Sequence, residues 1–222
     1  MYLPSVFAVK DLPVLQDFME QYSFATLVTR HADELIASHI PFILDRGAGP
    51  YGTLRGHLAV RNPQLAHLES GAEALVIFQG PHLYISPSWY ATPHNVPTWN
   101  YTAVHAYGIP KIVDRAGLVV LLKDLVRQNE RSFEQPWDFD PEASWVQAML
   151  PQIGAFEIPI ENLQGKFKLN QNRIPADRAN VIEILSASQD PARRQMADLI
   201  SQASGYPATL SSNSSGVSTL FP

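Results

Sequence analysis

Apolar positions in the N-terminal half alternate or run in short blocks between turn residues, whereas those near the C-terminus recur at helical spacing. Residues 13–21 predict a short helix capped by Asp11, with Leu15, Phe18 and Met19 on one side. Three blocks rich in β-forming residues follow, at 24–29, 35–44 and 51–58. Pro41 has no N–H to give a ladder, so it marks an edge or a bulge. Asn62-Pro63 breaks the alternation and opens a short helix to Ser70. Strands are predicted over 73–79 and 82–86, joined at Gly80-Pro81. An ordered irregular loop, dense in proline and aromatics, covers 87–99, and strand character returns over 100–111. About six strands with short connections suggest a meander closing into a small barrel.

Beyond the strands, residues 115–131 make the clearest helix, with Leu118, Leu122, Leu125 and Val126 as its apolar stripe and Asp114 at the capping position. A second helix is expected over 142–150 and a last strand over 153–160. Two further helices cover 177–186, where Val181, Ile182 and Leu185 share a face, and 191–202, where Asp190-Pro191 is the start signal. From Ala203 onward serine, threonine and glycine dominate, and a mobile tail is expected.

Composition narrows the chemistry. A chain of 222 residues, 45% hydrophobic and 10% aromatic, has the material for a packed core. The absence of cysteine excludes disulfides, zinc–thiolate sites, cysteine-ligated iron–sulfur clusters and thiol nucleophiles. A net charge of −5 argues against charge-driven adhesion to nucleic acid. No run approaches the roughly 18 apolar residues of a membrane span. The first ten residues, mixed and interrupted by Pro4, do not read as a signal peptide. A soluble cytoplasmic protein with no membrane segment is the expectation.

Few catalytic motifs survive inspection. Gly47-Ala48-Gly49-Pro50-Tyr51-Gly52 has the glycine spacing of a dinucleotide fingerprint, but Pro50 interrupts it and a strand follows, so a hairpin loop is the better reading. No two of the seven histidines sit at i,i+4, no HExxH occurs, and no metal site is expected. G-x-S-x-G is absent too. Two segments stand apart. The stretches 77–90 and 96–101 bring six aromatics and several polar side chains, enough to wall a pocket for a planar ligand or to fill a barrel end or subunit interface. Residues 165–173 intersperse Lys166, Lys168 and Arg173 with amides, a composition that suits phosphate or a solvated turn.

These segments, with Met1-Tyr2-Leu3-Pro4, residues 24–29, Ser38-His39-Ile40-Pro41, Gly56-His57-Leu58-Ala59, Asn62-Pro63-Gln64 and His105-Ala106-Tyr107-Gly108, resemble the PaiB family, the FMN-binding negative transcriptional regulators of bacteria. The resemblance runs in order over about residues 1–190. It implies an α+β, mainly β fold, the FMN-binding split barrel similar to pyridoxamine-phosphate oxidases, with six or more antiparallel strands and C-terminal helices. It also implies a homodimer with FMN between the subunits. By position one subunit would supply Ser38, His39, Pro41, Thr53, Leu54, His57, Ala59, Arg61 and Asn62, and the partner Trp99, Asn100, Lys166, Lys168 and Gln171. Val60 separates Ala59 from Arg61, where the family pattern sets arginine directly after alanine. On a continuing strand that displacement would turn the arginine to the opposite side.

The implied organisation is a flavin-binding domain over 1–165, a basic segment and helical extension over 166–202, and a tail over 203–222. No side chain stands out as a general acid or base; His39 and His57 are candidates to hydrogen-bond flavin or substrate and would be equally ordinary as core histidines. The family label implies a flavin-dependent or flavin-sensing regulator. Direct DNA binding is not expected, because Arg173, Arg178, Arg193 and Arg194 are interspersed with Asp177, Glu183, Asp190 and Asp198 and no helix-turn-helix is evident. Regulation through a partner protein or the flavin state fits better. A flavin-dependent oxidoreductase, or a non-enzymatic ligand-binding dimer, stays open as an alternative.

Overall fold

The computed structural model describes residues 1–204, so all but the first two residues of the expected tail lie outside the described residues. The elements run β1 (Ala8–Val9), α1 (Leu12–Gln21), β2 (Phe24–His31), β3 (Glu34–Pro41), β4 (Ile43–Asp45), β5 (Thr53–Ala59), α2 (Gln64–Glu69), β6 (Ala74–Ile85) and β7 (Thr98–Gly108). They continue with β8 (Lys111–Ile112), α3 (Arg115–Glu130), α4 (Ser144–Met149), β9 (Ile153–Pro159), β10 (Asn162–Lys168), α5 (Pro175–Ser186) and α6 (Pro191–Ser204). The chain forms two compact units. Of the described residues, one comprises 1–15, 79–104 and 164–204; the other comprises 16–78 and 105–163.

In the first unit the strand order is β1-β10-β7-β6, and Ala8 lies opposite Lys166 in an antiparallel pair. Helices α5 and α6 pack on each other there, burying Val181, Leu185, Met196 and Ile200. In the second unit β6, β2 and β3 are neighbours, and a four-stranded sheet runs β4-β5-β9-β8. Its centre is aromatic. Phe42 lies 6.0 Å from Phe78 and 6.2 Å, edge-on, from Phe156, all three almost fully buried. Each such ring removed from water contributes about 1.5–3 kcal/mol. Helix α3, started by Asp114 accepting from the Gly117 N–H, packs Leu118, Leu121 and Leu125 against Ile43, Val146 and Leu150.

Three expectations change. The block 35–44 is two strands, because Phe42 turns into the aromatic core. Residues 74–85 form one continuous strand through Gly80-Pro81; proline needs no N–H partner where its amide faces away from a ladder. The connections are not those of a meander, since β5 pairs with β9 and β7 lies beside β10. Pro41 does fall at the end of the edge strand β3, and residues 46–52 do form the loop of the antiparallel β4–β5 hairpin.

Close backbone approach makes Gly108 a sensitive position: a Cβ there would sit 2.1 Å from the Pro159 carbonyl oxygen. Gly108→Ala should destabilise the protein by about 3 kcal/mol through overpacking, seen as a Tm roughly 6–12 °C lower in a thermal melt; an unchanged Tm would contradict this packing.

Candidate functional site

The alternation of β5 decides which side chains reach its outer surface. Leu54, Gly56 and Leu58 are buried, while Arg55 and His57 are half-buried and Ala59 is exposed. A Cβ on Gly56 would lie 3.1 Å from Phe156 Cζ and 3.2 Å from Phe42 Cε1, so the inward side of β5 has little slack. His57, Leu58 and Ala59 of β5, Ala37 to Ile40 of β3, Asn62 and Ile153 line an open groove of about 490 Å³.

Its polar groups are held from behind. Asn62 Nδ2 donates to Ser38 Oγ at 3.1 Å, and its Oδ1 accepts from the Gln64 N–H at 2.9 Å. The Gln64 amide, fully buried, donates to the Leu27 and Ile36 carbonyls, pinning α2 to β2 and β3. His39 Nδ1 lies 2.9 Å from Thr26 Oγ1, which orients the ring. His57 Nδ1 is buried without a partner among the described residues, and desolvation by burial lowers the imidazole pKa, favouring the neutral ring. A buried nitrogen left unmet costs about 1–3 kcal/mol, and this one is enclosed by protein rather than open to the groove.

Four residues named from the sequence with this group do not line the groove. Leu54 is fully buried in the core, and Thr53 donates its hydroxyl to the Ala48 carbonyl at 2.9 Å. Pro41 lies opposite Phe24 at the end of β3. Arg61 is exposed in a tight turn closed by the Asn62 N–H on the Ala59 carbonyl at 2.8 Å. Strand parity therefore does not govern its direction, because β5 has already ended. Sequence reasoning passed over Thr26, Gln64 and Ile153; the last comes from β9, with no local signal to connect it with β3.

The second predicted group lies along β7 and β10 in the first unit. Trp99 is 55% exposed and packs edge-on to Tyr84 at 5.9 Å, with His82 at 6.3 Å. Asn100 is fully buried, and neither atom of its amide has a partner among the described residues. Lys166, only 8% exposed, donates to the Tyr2 carbonyl at 2.9 Å and lies over the rings of Tyr2 and Tyr101. Lys168 bonds to the Thr98 hydroxyl; burial, then the charges of Lys166 and Arg173, push its ammonium below the usual lysine range. Arg173 donates to Asn95 Oδ1 at 2.6 Å and stacks 4.4 Å over Tyr90. Gln171 is committed to the backbone, bonding the Leu169 N–H and the Phe167 carbonyl. The segment 165–168, for which a solvated turn is one of two readings, is strand, because pairing with β1 and β7 overrides the weak strand preference of its glycine and lysines.

FMN asks for a slot for its ring, hydrogen bonds for its polar edge and cations for its phosphate. The groove, with Ser38, His39 and Asn62 beside apolar Ile40 and Ile153, suits the first two requirements. Lys166, Lys168 and Arg173, none in an ion pair among the described residues, suit the third.

Comparison with known proteins agrees. The family model described as "Putative FMN-binding domain" matches residues 1–162. The chain is 38% identical over 203 residues to "Protease synthase and sporulation protein PAI 2" of Bacillus subtilis (strain 168), covering 90% of this chain and 96% of that protein. Among solved structures, the flavocytochrome Anf3 of Azotobacter vinelandii is similar with a TM-score of 0.56 at 13% identity, covering 72% of this chain and 69% of that one. An FAD and heme binding protein of Mycobacterium smegmatis gives 0.52 at 16% identity, covering 72% and 73%. These two likenesses are of fold.

The unmet nitrogen has a pH consequence. Because folding lowers the His57 pKa, the unfolded chain takes up a proton that the folded one refuses as pH drops below 6.5. Stability should therefore fall on that acid side, and His57→Gln should flatten its share of the slope in Tm measured from pH 7.5 to 5; an identical slope would remove His57 from the account.

Proposed function

This chain belongs to the PaiB-type family of FMN-binding split-barrel proteins, and from that premise we propose that it is a homodimeric flavin-dependent or flavin-sensing regulator of transcription. FMN is its cofactor and supplies electron-transfer chemistry when bound. The observation that carries the pairing is the incompleteness of each group of residues. The groove of Ser38, His39, His57 and Asn62 contains no lysine or arginine in its lining, yet a phosphate dianion calls for cations. The cation set of Lys166 and Lys168 on β10 and Arg173 just after it supplies those, and Trp99 on β7 is exposed. In a two-fold dimer the groove of one subunit takes the ring while Lys168 and Trp99 of the other face it. His57 and Asn62 then meet the polar edge, and apolar Ile40, Leu58 and Ile153 exclude water from one side.

Regulation through a partner protein or through flavin state fits the electrostatics better than direct DNA contact. Three of the four arginines of the C-terminal region are engaged within the fold. Arg173 is held by Asn95, Arg193 lies over Trp89 and near Asp190, and Arg194 donates to the Ser188 carbonyl. Few cations remain there to neutralise phosphates. The Bacillus relative bears a name that ties it to protease synthesis and sporulation.

Binding of FMN and of riboflavin, followed by flavin fluorescence, separates the two requirements. Lys168→Ala should weaken FMN roughly 10–100-fold, the value of a charge-assisted hydrogen bond, and leave riboflavin within about twofold. Equal losses for both ligands would remove Lys168 from the phosphate.

A further inference from the structure

Met1-Tyr2-Leu3-Pro4, one of the segments that carry the family resemblance, has no part in the groove. It leads into a 3-10 turn over Ser5–Phe7, closed by the Phe7 N–H on the Pro4 carbonyl at 3.0 Å. β1 follows, with Ala8 opposite Lys166 and Val9 opposite Gly165. Antiparallel pairing alone would carry the residues ahead of Ala8 away from the start of β10. The turn reverses that course and lays the arm back over β10, all within the first unit. The Met1 amino group donates to Gln164 Oε1, and Lys166 Nζ donates to the Tyr2 carbonyl at 2.9 Å.

The arm covers a charge. Lys166 is 8% exposed, yet it reaches no carboxylate among the described residues. Its ammonium lies 5.5 Å from the centroid of the Tyr2 ring and 5.3 Å from that of Tyr101. A carbonyl dipole and two ring faces thus stand where an anion would satisfy the buried charge more fully. The cover is also thin. Tyr2 is 84% exposed, so little packs on the far side of its ring, and Val6 is 47% exposed. Phe7 is the first buried residue of the chain, so the four residues ahead of the turn can swing while β1 stays paired.

Lys166 and Lys168 are two residues apart on β10, and Lys168 feels the charges of Lys166 and Arg173. A phosphate dianion beside Lys168 would relieve all three. A charge-assisted bond from an ammonium to phosphate is about twice as strong as one between neutral groups. Such a dianion therefore competes with the Tyr2 carbonyl for Lys166. We propose that residues 1–4 form a strap that closes Lys166 to anions, and that a phosphate monoester arriving at Lys168 displaces it and gains Lys166 as a second cation. The displacement rests on reading β10 as the phosphate-binding segment; the cover over Lys166 does not. Tyr2 is then a specificity-determining residue. It weakens the binding of phosphorylated flavin and leaves phosphate-free riboflavin unaffected.

Measurements on the full chain separate the cover from the ligand. In lysine acetylation by acetic anhydride, read by mass spectrometry on the flavin-free protein, Lys166 should react roughly tenfold more slowly than exposed Lys111 and Lys123. Tyr2→Ala with Gln164→Ala removes the ring and the Met1 anchor, and should raise the Lys166 rate severalfold while Lys111 and Lys123 stay constant. By flavin fluorescence the same variant should bind FMN roughly 3–10-fold more tightly and riboflavin within about twofold, as expected of a strap closed most of the time. Adding Lys166→Met should abolish that gain. A Lys166 rate equal to that of Lys111, or one unchanged in the arm variant, would overturn the proposal. So would unchanged FMN affinity, equal gains for both flavins, or a gain that survives Lys166→Met. If FMN binds neither chain, the flavin reading fails by itself and inorganic phosphate takes its place in the acetylation assay. Phosphate should slow Lys166 in the arm variant, and no slowing would overturn the strap as well.

Discussion

Gly56 leaves β5 without a side chain where the rings of Phe42 and Phe156 close in, and this close packing fixes which side of the strand looks outward. Because strand side chains alternate, a register slip of one residue would drive His57 into the aromatic core and expose Leu58. Pairing with β9 along the whole of β5 holds the register and brings Ile153 opposite Ala59. The groove is thus a consequence of core packing, with its polar groups steadied by Asn62 and Gln64 from the turn that follows.

Two unmet needs give the molecule its functional direction. The groove sets polar Ser38, His39 and Asn62 beside apolar walls, and three cations crowd each other with no ion pair among the described residues. A phosphate near Lys168 would restore its proton affinity, and a hydrogen-bonding ring edge would meet the polar side chains of the groove. Both needs point to the same class of ligand, an aromatic heterocycle carrying a phosphate.

Much of this was legible in the amino-acid pattern. Alternation located β2, β5 and β9, the loop glycines marked the β4–β5 hairpin, and Asp114 marked the start of α3. Long-range pairing was not legible. The glycine and lysines of 165–168 carry no strand signal, so β10 exists because β1 and β7 supply its hydrogen-bonding partners. At the site, Ser38, His39, His57, Ala59 and Asn62 were found through motif resemblance and do share a groove. Thr53 and Leu54 belong to the same motif region, but the pleat turns them to structural tasks. Arg61 shows the limit of parity arguments, since a turn intervenes where the sequence allowed a continuing strand.

The central claim is that each flavin is held jointly by two copies, and mixed dimers test it most directly. One differently tagged chain would carry Trp99→Ala with Lys168→Ala, the other His57→Ala with Asn62→Ala, and the tandem-purified mixed dimer would be assayed for bound FMN. A shared site predicts that each homodimer is depleted while the mixed dimer, with one undamaged pairing, recovers one FMN per two chains. A mixed dimer as empty as its parents would mean that every flavin is bound within a single chain, contradicting the account.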